Sequence, residues 1–245
     1  PFISDYLPDQ RDLPYDERVA YYKQLKNELG IHTVRTEFRM RHLMNEDGSL
    51  NKDVIDSYRS ALLAMKEANL EPPIIYLFSP PKWFIELEKS NADQLRTRFK
   101  AYAIAVKELY RQVGFQPSYI QVMSEVNLRF HTPLSFKTLG DLFDIAGEVF
   151  EREKGGPKIM TTLHVGNIDV GTMSESKNWK EFIYRFMKEH GSRIDALGVD
   201  YYPGSYEYPA GIPVIGKHPF EAFGGKTPYE WISEQKEKRH TTQLI

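Results

Sequence analysis

Hydrophobic positions along this chain switch repeatedly between two periods. Val19, Tyr22, Leu25 and Leu29 recur at helical spacing and stop at Gly30, predicting a helix over 18–29. The pattern then alternates as a strand over 32–40, and Val54, Ile55, Tyr58, Leu62 and Met65 mark an amphipathic helix over 53–68. A short apolar strand over 73–78 precedes the link Ser79-Pro80-Pro81-Lys82-Trp83-Phe84, and a helical run over 95–113 closes at Gly114. Next come a strand over 118–127, a helix over 139–153 ended by Gly155-Gly156-Pro157, a strand over 158–164, and a helix over 179–190 ended by Gly191. A strand over 194–202 leads into a Pro/Gly-rich excursion, 228–238 is helical, and 241–245 opens one more strand. With 2–6 as the first, seven strands are predicted.

Strand-then-helix alternation implies a parallel sheet with crossover helices. The 245 residues approach the ~250 typical of one (β/α)₈ barrel. The expected fold is α/β, a (β/α)₈ TIM barrel incomplete at the C-terminus, with strand 7 cut and strand 8 absent. A single domain over 1–245 is expected, since no repeat or low-complexity tract interrupts the alternation. Such a barrel exposes two strand edges, which invites association.

In a barrel, catalytic groups sit at the C-terminal tips of the strands. The strand over 118–127 ends with Ser124, Glu125 and Asn127. If it stays extended, Gln121, Met123 and Glu125 share one face. A solvated loop acid is the competing reading of Glu125. Arg35, Glu37 and Arg39 share one face of the second strand, which is costly in a packed core unless the charges pair or line a polar cavity. They suit either a substrate-facing cluster or a structural charge ladder. Trp83, on a loop stiffened by two prolines, is either a sugar-stacking platform or a lid over a small core. His164 ends the fifth strand as a hydrogen-bond donor, a general base or a structural histidine. The sixth strand delivers Asp200, Tyr201 and Tyr202, with Gly198 allowing close packing. Trp179 and Trp231 lie within helical patterns and read as packing residues.

Composition narrows the chemistry. A formal net charge of −2 gives no electrostatic case for nucleic acid or an anionic membrane as partner. No stretch reaches the ~20 apolar residues of a membrane span. Without cysteine there are no disulfides and no thiolate metal sites, and the chain suits a secreted bacterial or a cytoplasmic setting equally. Aromatic residues make up 13%, a surplus that suits a ligand with flat apolar faces such as a sugar. There is no His-Glu-x-x-His motif, no Gly-x-Ser-x-Gly elbow and no phosphate-binding glycine loop, so no metal and no cofactor is expected.

These residues resemble the clan A retaining glycoside hydrolases, which are (β/α)₈ barrels. Ser124-Glu125 stands where that clan has Asn-Glu at the end of strand four. Arg35 is similar to its strand-two arginine, and Ser79 to Trp83 to a Pro-Pro-x-Trp loop. The run from Ile194 to Pro203 resembles strand six of endo-β-1,4-galactanase relatives. The resemblance implies hydrolysis of O-glycosidic bonds in a β-linked oligo- or polysaccharide, with Glu125 as acid/base and a carbohydrate as partner. It further implies substrate-site roles for Arg35, Trp83, Ser124, Tyr201 and Tyr202, to which the strand tips add Glu37, Asn127 and His164 as expected substrate-site residues. Two departures stand out. Serine replaces the asparagine before the acid/base, and the strand-seven nucleophile is expected just beyond Ile245, so the chain as given is expected to be weak or inactive. Two other functions compete: a non-catalytic carbohydrate-binding barrel, and a sugar-phosphate lyase or isomerase.

Overall fold

The computed structural model describes residues 2–5, 13–128, 132–164, 179–200 and 243–244. Seven strands and seven helices are described in the order β1 Phe2–Asp5, α1 Tyr15–Leu29, β2 Thr33–Arg39, α2 Met40–Leu43, α3 Lys52–Glu67, β3 Ile74–Phe78 and α4 Lys82–Ser90, followed by α5 Ala92–Val113, β4 Tyr119–Val122, α6 Phe136–Val149, β5 Lys158–His164, α7 Trp179–His190, β6 Ala196–Asp200 and β7 Gln243–Leu244. The described residues group into two compact units, Pro1–Met123 with Ser135–Ile159, and Ser124–Leu134 with Met160–Ile245.

In the first unit β1 to β4 pair in chain order, all parallel, with Arg35 beside Ile74 and Ile75 beside Ile120. Parallel neighbours need a crossover between them, and the helices supply it. α1 packs on α3, α3 on α5, and α5 on α6. Val34, Thr36 and Phe38 form one buried face of β2: Phe38 stacks on Tyr58 of α3 at 4.3 Å between ring centres, and its carbonyl accepts the hydroxyl of the buried Tyr102 of α5. The opposite face of the strand is therefore left to Arg35, Glu37 and Arg39.

Local chemistry sets the helix ends. The side chains of Asn51, Asn91 and Ser135 accept backbone N–H groups in the first turns of α3, α5 and α6. α1 and α5 end on Gly30 and Gly114, both at φ 64° in the left-handed region that glycine enters without steric cost. One helix departs from the sequence pattern. α4 begins at Lys82, so Trp83 stands in its first turn, half-buried, rather than on an extended loop. Pro80-Pro81 is a helix-start signal here, because proline's fixed φ suits the entry to a first turn.

In the second unit β5, β6 and β7 pair in parallel, placing Thr162 beside Gly198 and His164 beside Asp200. α7 buries Phe182, Ile183, Phe186 and His190. The predicted helix over 228–238, Trp231 and the excursion after β6 lie outside the described residues.

Candidate active site around Glu125

The strand that carries Glu125 is shorter than its hydrophobic pattern predicts. β4 ends at Val122, and Met123 and Glu125 have φ of 57° and 44°. The alternation of faces read across 121–126 therefore fails after Val122. Left-handed φ at a residue bearing a Cβ costs ~1–3 kcal/mol and persists only where the surroundings over-determine it.

Those surroundings are specific. The N–H of Glu125 donates to Thr162 Oγ1 at 3.1 Å, and the N–H of Val126 donates to the Thr162 carbonyl at 3.1 Å. On the preceding residue, the Ser124 carbonyl accepts the Thr132 hydroxyl at 2.7 Å. The Glu125 carbonyl accepts the Leu128 N–H at 2.7 Å, which closes the turn. Both peptide groups flanking Glu125 are thus held.

The Glu125 side chain is 3% exposed, so it is not a solvated loop acid. Its Oε1 lies 3.1 Å from Nδ1 of His164, the last residue of β5. Either the imidazole donates to the carboxylate or a protonated carboxyl donates to the imidazole, so the pair can hold a proton at a defined place. Asn127 serves His164 in turn: its Nδ2 donates to the His164 carbonyl at 2.8 Å, and its Oδ1 accepts the His164 N–H at 2.9 Å. The amide continues the ladder past the end of β5 and fixes where the imidazole starts.

Ser124 Oγ lies 2.9 Å from Thr162 Oγ1 and 3.2 Å from Asp200 Oδ2, and Thr162 also donates to Asp200. Asp200 ends β6 and is partly exposed. Glu125, His164, Asn127, Ser124 and Asp200, all named by the sequence pattern, meet in one hydrogen-bonded cluster within the second unit. Thr162 and Thr132 join them without any sequence signal beyond their residue type. Tyr201 and Tyr202 lie outside the described residues.

The first unit holds a second cluster. The Arg35 guanidinium stacks over the Tyr76 ring at 4.1 Å, and its Nε donates to Gln121 Oε1 at 2.7 Å. Gln121 passes a hydrogen bond on to the Met123 carbonyl at 3.0 Å. Glu37 pairs with Arg39 at 2.8 Å on the same strand face. Trp83 meets Phe84 edge-on with ring centres 6.0 Å apart. Among the described residues, no group of three or more His, Asp or Glu side chains is arranged to hold a metal ion. None of the described helices is long and apolar enough to cross a membrane.

No protein-family model matches this sequence, and no curated protein does. Solved structures do match. The AHE enzyme from Alicyclobacillus herbarius aligns at 19% identity and a TM-score of 0.53, over 81% of this chain and 55% of that one. A fungal β-1,4-galactanase aligns at 20% identity and a TM-score of 0.53, over 75% of this chain and 56% of that one. A β-glucosidase from Thermotoga maritima, in complex with deoxynojirimycin, aligns at 16% identity and a TM-score of 0.52, over 77% of this chain and 54% of that one. The chain thus spans little more than half the length of these structures. At such identities the likeness establishes fold alone: the parallel strand-helix alternation of this chain is that of part of a (β/α)₈ barrel.

Proposed function

We propose that the protein is a glycoside hydrolase that cleaves O-glycosidic bonds of a β-linked oligo- or polysaccharide with retention of configuration, Glu125 serving as acid/base. The observation that carries this reading is the buried Glu125 carboxyl, which follows strand β4 and meets His164 Nδ1 at 3.1 Å. Retaining hydrolysis needs one carboxylic acid to protonate the leaving oxygen and later to deprotonate a water. A buried carboxyl whose Oε1 meets an imidazole suits a group that must exchange one proton in each direction. The structural neighbours, a β-1,4-galactanase and a β-glucosidase among them, support a β-linked sugar as substrate. Arg35, with its guanidinium face on Tyr76, and the half-buried Trp83 are assigned to sugar binding, as are Glu37, Ser124, Asn127, His164, Tyr201 and Tyr202. Retaining hydrolysis also takes a second carboxylate, which attacks the anomeric carbon.

A carbohydrate-binding barrel without turnover is the second reading. It is favoured by Ser124, whose hydroxyl is directed at Thr162 and Asp200 where an asparagine would reach a sugar hydroxyl. The protein incubated with a panel of β-linked glycans, with reducing ends counted and the first-formed anomer read by proton NMR, separates the two. Release of β-configured product supports the retaining glycosidase. Saturable binding without release supports the binding barrel, and α-configured product contradicts retention.

A further inference from the structure

The oxygens Ser124 Oγ, Thr162 Oγ1 and Asp200 Oδ2 lie within hydrogen-bond reach of one another. With Asp200 as acceptor, three contacts share only the two hydroxyl protons. Thr162 directs its proton to Asp200, which leaves its lone pairs for the Glu125 N–H at 3.1 Å. The Ser124 proton goes to Asp200 or to Thr162, and neither choice disturbs that arrangement. Asp200 therefore sets the direction in which the Thr162 hydroxyl points. A hydroxyl turned the other way would oppose its own proton to the Glu125 N–H.

The strands are built to allow this. Thr162 stands beside Gly198 on β6, and a Cβ at 198 would lie 2.8 Å from Thr162 Cγ2, closer than real Cβ atoms come. The glycine leaves room for the threonine methyl, and that methyl position turns the hydroxyl toward Asp200 and the Glu125 turn. Glu125 needs the hold because its φ of 44° is disfavoured for any residue with a Cβ.

We infer that Asp200 is a positioning residue for Glu125, acting through the oriented hydroxyl of Thr162 on the Glu125 backbone. This rests on Glu125 being the acid/base. It assigns to Asp200 a task distinct from attack on the anomeric carbon, although it is a carboxylate at a strand tip of the same unit.

The test compares Asp200→Asn and Thr162→Val with the parent protein on two aryl β-glycosides. One has a poor leaving group that needs protonation, and the other a dinitrophenolate that does not. A misplaced acid/base is expected to lower kcat/KM on the first substrate by about 100-fold, while kcat/KM on the dinitrophenyl glycoside, which reports only formation of the glycosyl-enzyme, stays within about twofold of the parent's. Thr162→Ser keeps the hydroxyl and is expected to recover most of the loss seen in Thr162→Val. Adding either variant to Glu125→Gln is expected to cost nothing further. Equal loss of kcat/KM on both substrates would make Asp200 the nucleophile and overturn the inference, as would unchanged kcat/KM on the first. Crystal structures of the two variants give a readout independent of turnover: Glu125 displaced from His164 supports the inference, and an unmoved Glu125 overturns it. If the parent hydrolyses neither glycoside, the glycosidase reading fails separately, and the variant structures still decide the positioning role.

Discussion

Asn127 binds the backbone of His164 at two points, donating to its carbonyl and accepting from its N–H, at 2.8 and 2.9 Å. A side-chain amide used in this way acts as a one-residue strand. It fixes the place from which the imidazole reaches Glu125. Asn127→Asp removes the donor and sets a carboxylate oxygen against a buried carbonyl. Leaving such a group unsatisfied costs ~1–3 kcal/mol. The variant is expected to melt several degrees lower and to lose activity with it, as read by circular dichroism and by turnover of a β-glycoside.

His164→Ala tests the next link. The Glu125 carboxyl would lose its imidazole partner while staying buried. An expected 10- to 100-fold drop in kcat corresponds to about 1–3 kcal/mol, the range for a buried group stripped of a hydrogen-bond partner. Steady-state kinetics with a glycoside of poor leaving group measures it. An unchanged kcat would remove His164 from the mechanism and leave it a structural residue.

Gly198→Ala places a methyl 2.8 Å from Thr162 Cγ2, where one of the two strands must give. Overpacking of this kind costs ~1–3 kcal/mol. Because the clash is with the threonine methyl, the double variant Gly198→Ala/Thr162→Ser is expected to be more stable than Gly198→Ala alone. Chemical denaturation of the parent, the two single variants and the double variant gives the comparison, and additive losses would show that the strain lies elsewhere.

Alkaline stability follows from two buried phenols. Burial, with the charge of Glu151 next in weight, pushes Tyr110 up from 10.0 to about 12, and burial holds Tyr102 well above its ordinary value. Both groups are favoured in their protonated form in the folded chain. The stability they contribute is fully present below pH 10 and is lost as pH rises toward the folded values. Denaturation midpoints should therefore fall between about pH 10 and pH 12, and Tyr110→Phe should flatten that fall. An equal slope in the variant would contradict the assignment.

Much of this was legible in the sequence where period and burial agree. β5 and α7 begin and end where the hydrophobic pattern places them, because both are bounded by strong signals such as Gly156-Pro157 and Gly191. The charged face of β2 was legible for the same reason: residues 35, 37 and 39 alternate with Val34, Thr36 and Phe38, which meet the helices. The Glu125 turn was not. Met123, Val126 and Leu128 continue an apolar run that reads as strand, whereas the bonds that bend the backbone come from Thr162 and Thr132, which are distant in sequence. A threonine on a buried strand has the same signature whether its hydroxyl is idle or holds a catalytic turn. α4 was hidden differently, since the two prolines that open the helix also read as a rigid loop.

The central claim is that Glu125 is the acid/base of a retaining glycosidase, and Glu125→Ala assayed with and without azide tests it most directly. The predicted result is a loss of about 10²–10⁴-fold on a glycoside of poor leaving group. The dinitrophenyl glycoside should still form the glycosyl-enzyme, and azide should restore its turnover with a β-glycosyl azide as product. An anion that needs no deprotonation replaces the water that Glu125 would have activated. Turnover of the first substrate equal to the parent's, or a variant that azide does not accelerate, would contradict the claim.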